Sequence, residues 1–216
     1  MSLRNIYVVG KDIGFANWMD GNIVFKMEEA DFVVFTGGED ISPGLYRDVR
    51  HPATWSTLSR DKFEIKEFKK AQSLQLPSVG ICRGAQLLCV LAGGKLIQDQ
   101  CNANTVHLVK LYNGGNIILN SFHHQAQYPY LLPECEYKLL GWTNSQSSHH
   151  RNGKNEELSL PAGKEAEIVY YPKINALGIQ AHPEILMKDY DKIKYCRDAI
   201  DYLRVLLDQF LLQGLD

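Results

Sequence analysis

The chain has 216 residues, of which 45% are hydrophobic and 22% are charged, and its formal net charge at pH 7 is −2. This near-neutral balance, with no basic run, gives no reason to expect binding to nucleic acid or to an anionic membrane surface. The length is sufficient to bury a substantial core, and we expect a single domain over residues 1–216.

The N-terminal residues and the cysteines indicate the compartment. Residues 1–10 lead directly into an apolar run and lack the charged and apolar regions of a signal peptide, and no later stretch is apolar for long enough to span a bilayer. The five cysteines are an odd number without a C-x-x-C pair, which argues against a disulfide framework and against a thiolate metal site. We therefore expect a cytoplasmic protein with reduced thiols, neither secreted nor in a membrane.

The first elements are short and apolar. Runs rich in β-branched residues predict buried strands of a parallel sheet at residues 6–10 and 31–38, with a shorter strand at 22–25 between them in the chain. Only about twenty residues separate the first strand from the second buried run, so the helix expected near Gly14 to Met19 must be brief.

An amphipathic helix is predicted next, with Ser59 as its N-cap and Pro77 beyond its end. Its charged residues, Asp61 and Glu64 among them, are expected at the surface, although a supporting role near a site stays open. The apolar face consists of Ile65, Phe68, Ala71 and Leu74. A strand at 78–81 follows at once, and the alternation of strands and helices indicates βαβ units in an α/β fold.

The second half of the chain reads differently. After Gly93 and Gly94, short strands separated by turn residues predict a smaller antiparallel sheet together with the last strands of the main sheet. The polar segment 144–163 predicts an exposed loop in which His149 and His150 are solvated. The predicted strands are 95–99, 106–112, 116–122, 137–143, 166–171 and 176–182, and a final helix carries an apolar stripe of Ile193, Ile200, Leu203, Leu207 and Phe210.

Residues 80–84 read Gly-Ile-Cys-Arg-Gly where the strand 78–81 becomes a helix. This layout is typical of a nucleophile elbow, whose crowded backbone favours glycine on both sides of the nucleophile. Cys82 would then lie beside a helix N-terminus, where unpaired N–H groups favour the thiolate. The alternative is a structural cysteine buried at a strand–helix junction, and the motif alone leaves both open.

A cysteine nucleophile needs a base, a group that orients the base, and donors for an oxyanion. His182 and Glu184 are two residues apart around Pro183, so in extended chain both side chains point to one face. The turn at Gly37 and Gly38 and the N–H of Arg83 are candidate oxyanion donors. A surface histidine beside an unrelated glutamate, and a plain tight turn, are the alternatives.

Six blocks occur in one order across about residues 35–184. Together they resemble the glutamine amidotransferase class I family, and more closely its γ-glutamyl hydrolase branch, which includes the γ-glutamyl-γ-aminobutyrate hydrolases. The blocks are FTGGEDISPGLY (35–46), RDKFE (60–64), GICRGAQ (80–86), GGKLIQD (93–99), NSFHHQA (120–126) and GIQAHPE (178–184).

The resemblance implies a flavodoxin-like α/β fold with a mostly parallel sheet. It implies a catalytic triad of Cys82, His182 and Glu184, in which Cys82 carries a γ-glutamyl thioester that water hydrolyses to glutamate. Oxyanion N–H groups would come from Gly38 and Arg83. The substrate contacts would come from Gly37, Gln86, Ser121, Phe122 and His123.

No cofactor or metal is needed for this chemistry. Metal binding and ordinary strand packing are the competing interpretations for His123 and His124, but adjacent strand residues point to opposite faces and cannot easily ligate one ion. The remaining cysteines, Cys89, Cys101, Cys135 and Cys196, are expected to be structural. Ala181 stands where members of the family commonly have an aromatic residue, so the pocket wall there is either more open or filled from elsewhere.

Several functions stay open at this stage. The favoured one is a stand-alone hydrolase acting on a small γ-glutamyl conjugate. A glutaminase subunit that supplies ammonia to a separate synthetase partner is the first alternative. Another cysteine enzyme, such as a peptidase or deglycase-like protein, and a non-catalytic binding subunit are the others. The patterns carry no signal of oligomeric state.

Overall fold

A computed structural model describes residues 3–11, 14–101, 105–144, 147–213 and 215. The strands in these ranges are β1 (Arg4–Val9), β2 (Gly21–Val24), β3 (Phe32–Phe35), β4 (Ser78–Ile81), β5 (Lys95–Ile97), β6 (Asp99–Gln100), β7 (Thr105–Leu111), β8 (Asn116–Ser121), β9 (Ala126–Tyr128), β10 (Lys138–Asn144), β11 (His150–Arg151), β12 (Lys164–Tyr171) and β13 (Ala176–Ile179). The helices are α1 (Phe15–Met19), α2 (Leu58–Ser73), α3 (Arg83–Leu91), α4 (Pro183–Leu186) and α5 (Lys194–Gln213).

The main sheet has the strand order β2-β1-β3-β4-β13-β12-β10-β7-β8. Strands β2, β1, β3, β4 and β13 pair in parallel, and the four strands from β12 to β8 continue the sheet in antiparallel pairings. Every residue of β3, β4 and β13 is buried, as expected for parallel strands covered on both faces. The predicted α/β class with a parallel central sheet is confirmed.

The antiparallel part differs in detail from the prediction. The strands β7, β8, β10 and β12 join the main sheet, whereas the separate antiparallel sheets are two small pairs, β6 with β11 and β5 with β9. Strand β2, which lies between β1 and β3 in the chain, is the edge strand of the main sheet beside β1. Hydrophobic patterns identify strands but do not state which strands pair, so these neighbours had to come from the tertiary structure.

Helix α2 corrects two expectations. Its N-cap is Thr57 and not Ser59. Asp61 and Glu64 are 0% and 1% exposed, so their assignment to the surface was wrong. The reason is that both carboxylates face a buried arginine at the start of α3. Its positive charge compensates the carboxylate charges that water would solvate at the surface.

Part of the segment 144–163 is ordered against the body of the protein. Strand β11 pairs with β6, and the His150 ring, 2.8 Å from Glu165 Oε1, is buried. The expectation that His150 is solvated was therefore wrong, while His149 is partly exposed and lies 3.1 Å from Asp99 Oδ2. Residues 145 and 146 lie outside the described ranges.

Helix α5 packs on the sheet through the predicted stripe. Ile200, Leu203, Leu207 and Phe210 are buried in the same cluster as the side chains of β4 and β13, and Ile193 packs against its edge. Helix α1 has only five residues, as the short chain between β1 and β3 predicts. Across the described ranges, none of the helices combines the length and the apolarity that crossing a membrane requires.

Candidate active site

The elbow expected at Cys82 is present in the backbone. Cys82 follows β4, is the N-cap of α3 and has φ 52° and ψ −107°, a conformation that L-residues rarely adopt. A Cβ added at Gly80 would lie 2.4 Å from the Gly84 carbonyl carbon, and one at Gly84 would lie 2.0 Å from the Phe35 carbonyl oxygen. The two glycines are therefore required by close backbone contacts on both sides of the cysteine.

Parallel pairing brings the three predicted triad residues together. Strands β4 and β13 are neighbours with Ile81 opposite Ile179, so Cys82 and His182 emerge at the same edge of the sheet. The His182 imidazole lies beside Cys82, since both would contact a Cβ added at Gly37, and its Nδ1 lies 2.6 Å from Glu184 Oε1. The arrangement supplies a nucleophile, a base and a buried carboxylate that orients the base.

The protonation state of His182 follows from its neighbours. Burial lowers its pKa, but the hydrogen bond to Cys82 and the contact with Glu184 outweigh burial and raise the pKa to about 10. His182 thus carries its proton at neutral pH. A protonated imidazole facing a cysteine sulfur stabilises the thiolate, which is the nucleophilic form.

Two residues that hold this array were not identified from the sequence. Asn120, at the end of β8, donates from Nδ2 to the His182 carbonyl at 3.0 Å and accepts from the His182 N–H at 2.8 Å. Gln180 Nε2 lies 4.0 Å from Cys82 Sγ. Both residues fall within the family-like blocks, but their partners are distant in the chain, so only the blocks themselves could have drawn attention to them.

The turn after β3 lies directly against the triad. A Cβ at Gly37 would be 2.6 Å from His182 Cε1 and 3.6 Å from Cys82 Cβ, so only glycine leaves room for both side chains. Gly38 has φ 146° and lines a cavity together with Cys82. Arg83 is the first residue of α3 and directly follows Cys82. These positions fit the two oxyanion donors expected from the sequence.

The Arg83 side chain makes a separate, buried contribution. Its guanidinium is 2.6 Å from Asp61 Oδ1 and also contacts Glu64 Oε2, and all three side chains are almost inaccessible. The pairing explains why two carboxylates on α2 are buried. Buried ion pairs, in addition to packing, therefore hold the elbow against α2.

Replacing Arg83 by methionine is expected to destabilise the protein by ~3–5 kcal/mol, because it leaves the buried Asp61 carboxylate without a cationic partner and Glu64 with Arg60 alone. Urea unfolding of wild type and variant measures the difference. Lys70→Met on the same helix removes only an exposed pair with Glu28 and should cost less than ~1 kcal/mol. Equal effects for the two variants would contradict this account of Arg83.

A small cavity opens beside the sulfur. Its volume is about 200 Å³, and it is lined by the predicted contacts Gln86, Phe122 and His123 together with Cys82 and Gly38. Ser121 is fully buried on β8 and is not among its lining residues, and Gly37 lines a second cavity. The other lining residues are Glu39, Asp40, Trp55, His124 and Gln125.

The two adjacent histidines have different surroundings. Burial lowers the pKa of His123, whose Nδ1 lies 2.8 Å from the Gln125 carbonyl while its Nε2 is buried without a hydrogen-bond partner. A contact with Asp40 raises the pKa of His124, with burial opposing it. Among the residues the structure covers, no three His, Cys, Asp or Glu side chains are grouped as metal ligands.

The second cavity, of about 540 Å³, is bordered by the Gly37–Gly38 turn. His182 and Arg60 line it, as do Gly10, Lys11, Thr36, Gly37 and Gly38. The two cavities meet at Gly38, with Cys82 in the first and His182 in the second.

Ala181 stands where an aromatic residue is common in the family, and another side chain packs beside His182 in its place. Ala181 is fully buried in the core. The Phe122 ring packs edge-on against His182, with centroids 6.0 Å apart and an interplanar angle of 73°. The wall beside His182 is therefore filled from the segment after β8.

All five cysteines are free, and two of them provide an internal comparison. Cys89 lies in α3, seven residues after Cys82, and burial raises its pKa to about 12. Iodoacetamide at pH 7–9 is expected to alkylate Cys82 and to leave Cys89 unmodified, because only a thiolate reacts. Peptide mass spectrometry measures both sites; preferential modification of Cys89 would contradict the elbow as a reactive site. Cys196 is buried, and Cys101 and Cys135 are exposed.

Comparison with known proteins agrees with this geometry. The family model described as Peptidase C26 matches residues 19–129, which include the Gly37–Gly38 turn and the elbow. The chain belongs to the Peptidase C26 family. His182 and Glu184 lie beyond the matched residues, so their place beside Cys82 comes from the structure.

The family assignment is supported by named relatives. The glutamine amidotransferase-like protein YvdE of Lactococcus lactis is 30% identical over 185 residues, covering 76% of this chain and 70% of that protein. The glutamine amidotransferase-like protein RP404 of Rickettsia prowazekii is 45% identical over 203 residues, covering 74% and 72% of the two chains. The predicted resemblance to glutamine amidotransferases is thus confirmed.

Solved structures agree on the fold. A glutamine amidotransferase from Thermotoga maritima superposes with a TM-score of 0.59 at 14% identity, covering 98% of this chain and 99% of that chain. The glutaminase domain of Trypanosoma brucei CTPS superposes with a TM-score of 0.55 at 12% identity, covering 99% and 95%. At these identities the similarity concerns the fold alone, and it confirms the flavodoxin-like arrangement that this Peptidase C26 chain was expected to have.

Proposed function

We propose that the protein hydrolyses a γ-glutamyl amide bond through a covalent γ-glutamyl thioester on Cys82. The observation that carries the proposal is the Cys82–His182–Glu184 array, in which the His182 ring lies beside the elbow cysteine and its Nδ1 lies 2.6 Å from the buried Glu184 carboxylate. Membership of the Peptidase C26 family and similarity to glutamine amidotransferase-like proteins support the same chemistry.

The reaction begins with attack of the Cys82 thiolate on the δ-carbonyl carbon of the substrate. The oxygen becomes an oxyanion that the N–H groups of Gly38 and Arg83 stabilise. The C–N bond then breaks, and the leaving nitrogen takes the proton of His182. The now neutral His182 removes a proton from water, hydroxide attacks the thioester, and glutamate leaves as the thiolate reforms.

The electrostatics of His182 suit this alternation. Its hydrogen bond to Cys82 is the largest influence that raises its pKa, and Glu184 adds to it. When Cys82 is acylated, the negative sulfur is lost, so the pKa of His182 falls and proton release becomes easier. Glu184 stays in contact and keeps the ring oriented for the second step.

The cavity beside Cys82 suits a glutamyl head group. Its volume of about 200 Å³ is below the roughly 300–1,000 Å³ of sites for drug-sized ligands, so only a small group fits. The head group carries an ammonium and a carboxylate. Glu39 offers a carboxylate to the ammonium, and His124, whose pKa is raised by Asp40, offers an imidazole to the carboxylate.

The leaving amine would occupy the second cavity, because His182, its proton donor, lines that cavity. The lining carries the two cationic side chains Lys11 and Arg60 and, within the described part of the chain, no carboxylate. This charge favours an amine that itself bears a carboxylate over a cationic diamine. A cavity of about 540 Å³ also has room for more than the ammonia released from glutamine. The favoured activity is therefore that of a stand-alone hydrolase.

Four substrates test the proposal against a Cys82→Ala control, with released glutamate as the readout. They are glutamine and the γ-glutamyl amides of methylamine, putrescine and 4-aminobutyrate, whose leaving groups differ in size and charge. We expect the highest kcat/KM for the 4-aminobutyrate conjugate. Turnover of glutamine alone would instead indicate an ammonia-supplying subunit of a synthetase. No glutamate from any substrate above the control would overturn the proposed reaction.

A further inference from the structure

We propose that Arg60 is a positioning residue that holds the Gly37–Gly38 peptide with its N–H directed at Cys82. Arg60 Nη2 donates to the Gly37 carbonyl oxygen at 2.9 Å. Its guanidinium also lies close to Gly38, since a Cβ added there would clash with Arg60 Nη1. The inference rests on the proposed function, in which Gly38 is an oxyanion donor.

The orientation follows from the geometry of a trans peptide. The structure contains no cis peptide bond in its described residues, and in a trans peptide the C=O and the following N–H point in opposite directions. Arg60, which lines the second cavity, donates to the Gly37 carbonyl oxygen, and Gly38 also lines the first cavity together with Cys82. With the carbonyl held towards Arg60, the Gly38 N–H is held away from Arg60, in the direction that the proposal assigns to the sulfur.

Arg60 is itself held in place. Its Nε lies 2.9 Å from Glu64 Oε1, one helical turn along α2, and the Glu64 carboxylate is buried. The other oxygen of Glu64 contacts Arg83, whose backbone N–H is the second proposed donor. The Glu64 carboxylate thus contacts both Arg60, which binds the Gly37 carbonyl before the Gly38 donor, and the side chain of Arg83, which carries the second donor.

A second contact ties the same helix to the turn. Asp61 Oδ1 contacts Arg83, and Asp61 Oδ2 accepts the Ser42 N–H at 3.1 Å, on the segment that follows Gly38. Helix α2 therefore contacts the turn, the segment after it and the elbow. The oxyanion site would be assembled before any ligand or partner binds, which agrees with a stand-alone hydrolase.

The test separates attack on a carbonyl from attack on saturated carbon. p-Nitrophenyl acetate acylates a thiolate through a tetrahedral oxyanion and releases p-nitrophenolate, whereas iodoacetamide alkylates it by displacing iodide without any oxyanion. The burst of p-nitrophenolate above Cys82→Ala measures acylation. Alkylation is followed on the tryptic peptide 71–83, in which Cys82 is the only cysteine.

Arg60→Ala is expected to slow acylation by at least ~10-fold, within the ~10²–10³ that loss of a whole oxyanion donor costs, and to change alkylation by less than ~2-fold. Because Arg60 lines an open cavity, ethylguanidinium should partly restore the burst. Lys70→Ala on the same helix is the matched control and should leave both rates unchanged. Arg60→Lys keeps the charge but not the several N–H donors of the guanidinium, so its acylation rate should lie between those of wild type and Arg60→Ala. It serves as the test variant if Arg60→Ala fails to fold.

Two results would overturn the inference: equal changes in acylation and alkylation, or unchanged acylation in Arg60→Ala. A wild type that gives no burst above Cys82→Ala would overturn it as well, because the oxyanion site would then not be preassembled. The proposed function is judged separately by glutamate release, so an intact Arg60 effect with no γ-glutamyl turnover would reject that function and keep this inference.

Discussion

Replacing His182 by glutamine is expected to lower kcat for a γ-glutamyl amide by ~10²–10⁴, the usual contribution of general acid–base catalysis. Glutamine retains a hydrogen-bonding side chain of similar size but can neither hold nor return the proton of the thiol. KM should change much less, because His182 lies at the bond that breaks rather than around the glutamyl head group.

Steady-state kinetics on the best of the four substrates measures the loss. His149→Gln is the matched control, since His149 lies outside both cavities and contacts Asp99, and its kcat should stay within ~2-fold of wild type. A His182→Gln enzyme that keeps more than about a tenth of the wild-type kcat would contradict the assigned role.

The pH profile offers a further check on His182. Its pKa is raised to about 10, so the protonated form that donates to the leaving nitrogen is present at neutral pH and is lost as the pH rises through that value. We expect kcat/KM to fall on the alkaline side near pH 10. Glu184→Gln removes a contact that raises the pKa and should move this limb to lower pH. An unchanged limb in Glu184→Gln would contradict the assignment.

Gly84→Ala is expected to be among the most destabilising single substitutions in the chain, at ~3 kcal/mol or more. The added methyl would lie 2.0 Å from the Phe35 carbonyl oxygen, and neither that backbone nor the elbow has room to move. The clash would separate β3 from α3 and so disturb the position of Cys82 as well as the stability.

The free energy of unfolding in urea measures this effect. Gly44→Ala is the control, because a Cβ at Gly44 has no atom within 4 Å and its φ lies outside the left-handed region, so the change should stay within ~0.5 kcal/mol. If Gly84→Ala and Gly44→Ala unfold at the same urea concentration, the close contact between Gly84 and the Phe35 carbonyl does not determine stability, and the prediction is wrong.

Much of the site could be predicted because its parts have short-range signatures. Glycines on both sides of Cys82, a glycine pair after a buried strand, and a histidine two residues before a glutamate each need only a few residues to be recognised. The close contacts at Gly80, Gly84 and Gly37 are the physical reason why glycine occurs there. The parallel strands were likewise visible as continuous apolar runs.

Other features had no such signature. Asp61 and Glu64 look like surface residues because their partner Arg83 is about twenty positions away, and the pattern of a helix does not reveal a buried counter-ion. The same holds for Asn120, which binds the His182 backbone 62 residues further on. His150 was assigned to solvent because strand β11 has only two residues and depends on β6 for its place.

The sequence by itself determined the α/β class, the elbow at Cys82 and the types of residue available for a cysteine-based reaction, because local backbone sterics and hydrophobic pattern encode them. Only the tertiary structure decided which side chains meet: the pairing of β4 with β13 that joins Cys82 to His182, and the Arg60–Glu64–Arg83 contacts behind the Gly37–Gly38 turn. These contacts link residues far apart in the chain, and their geometry exists only once the sheet and its helices have packed.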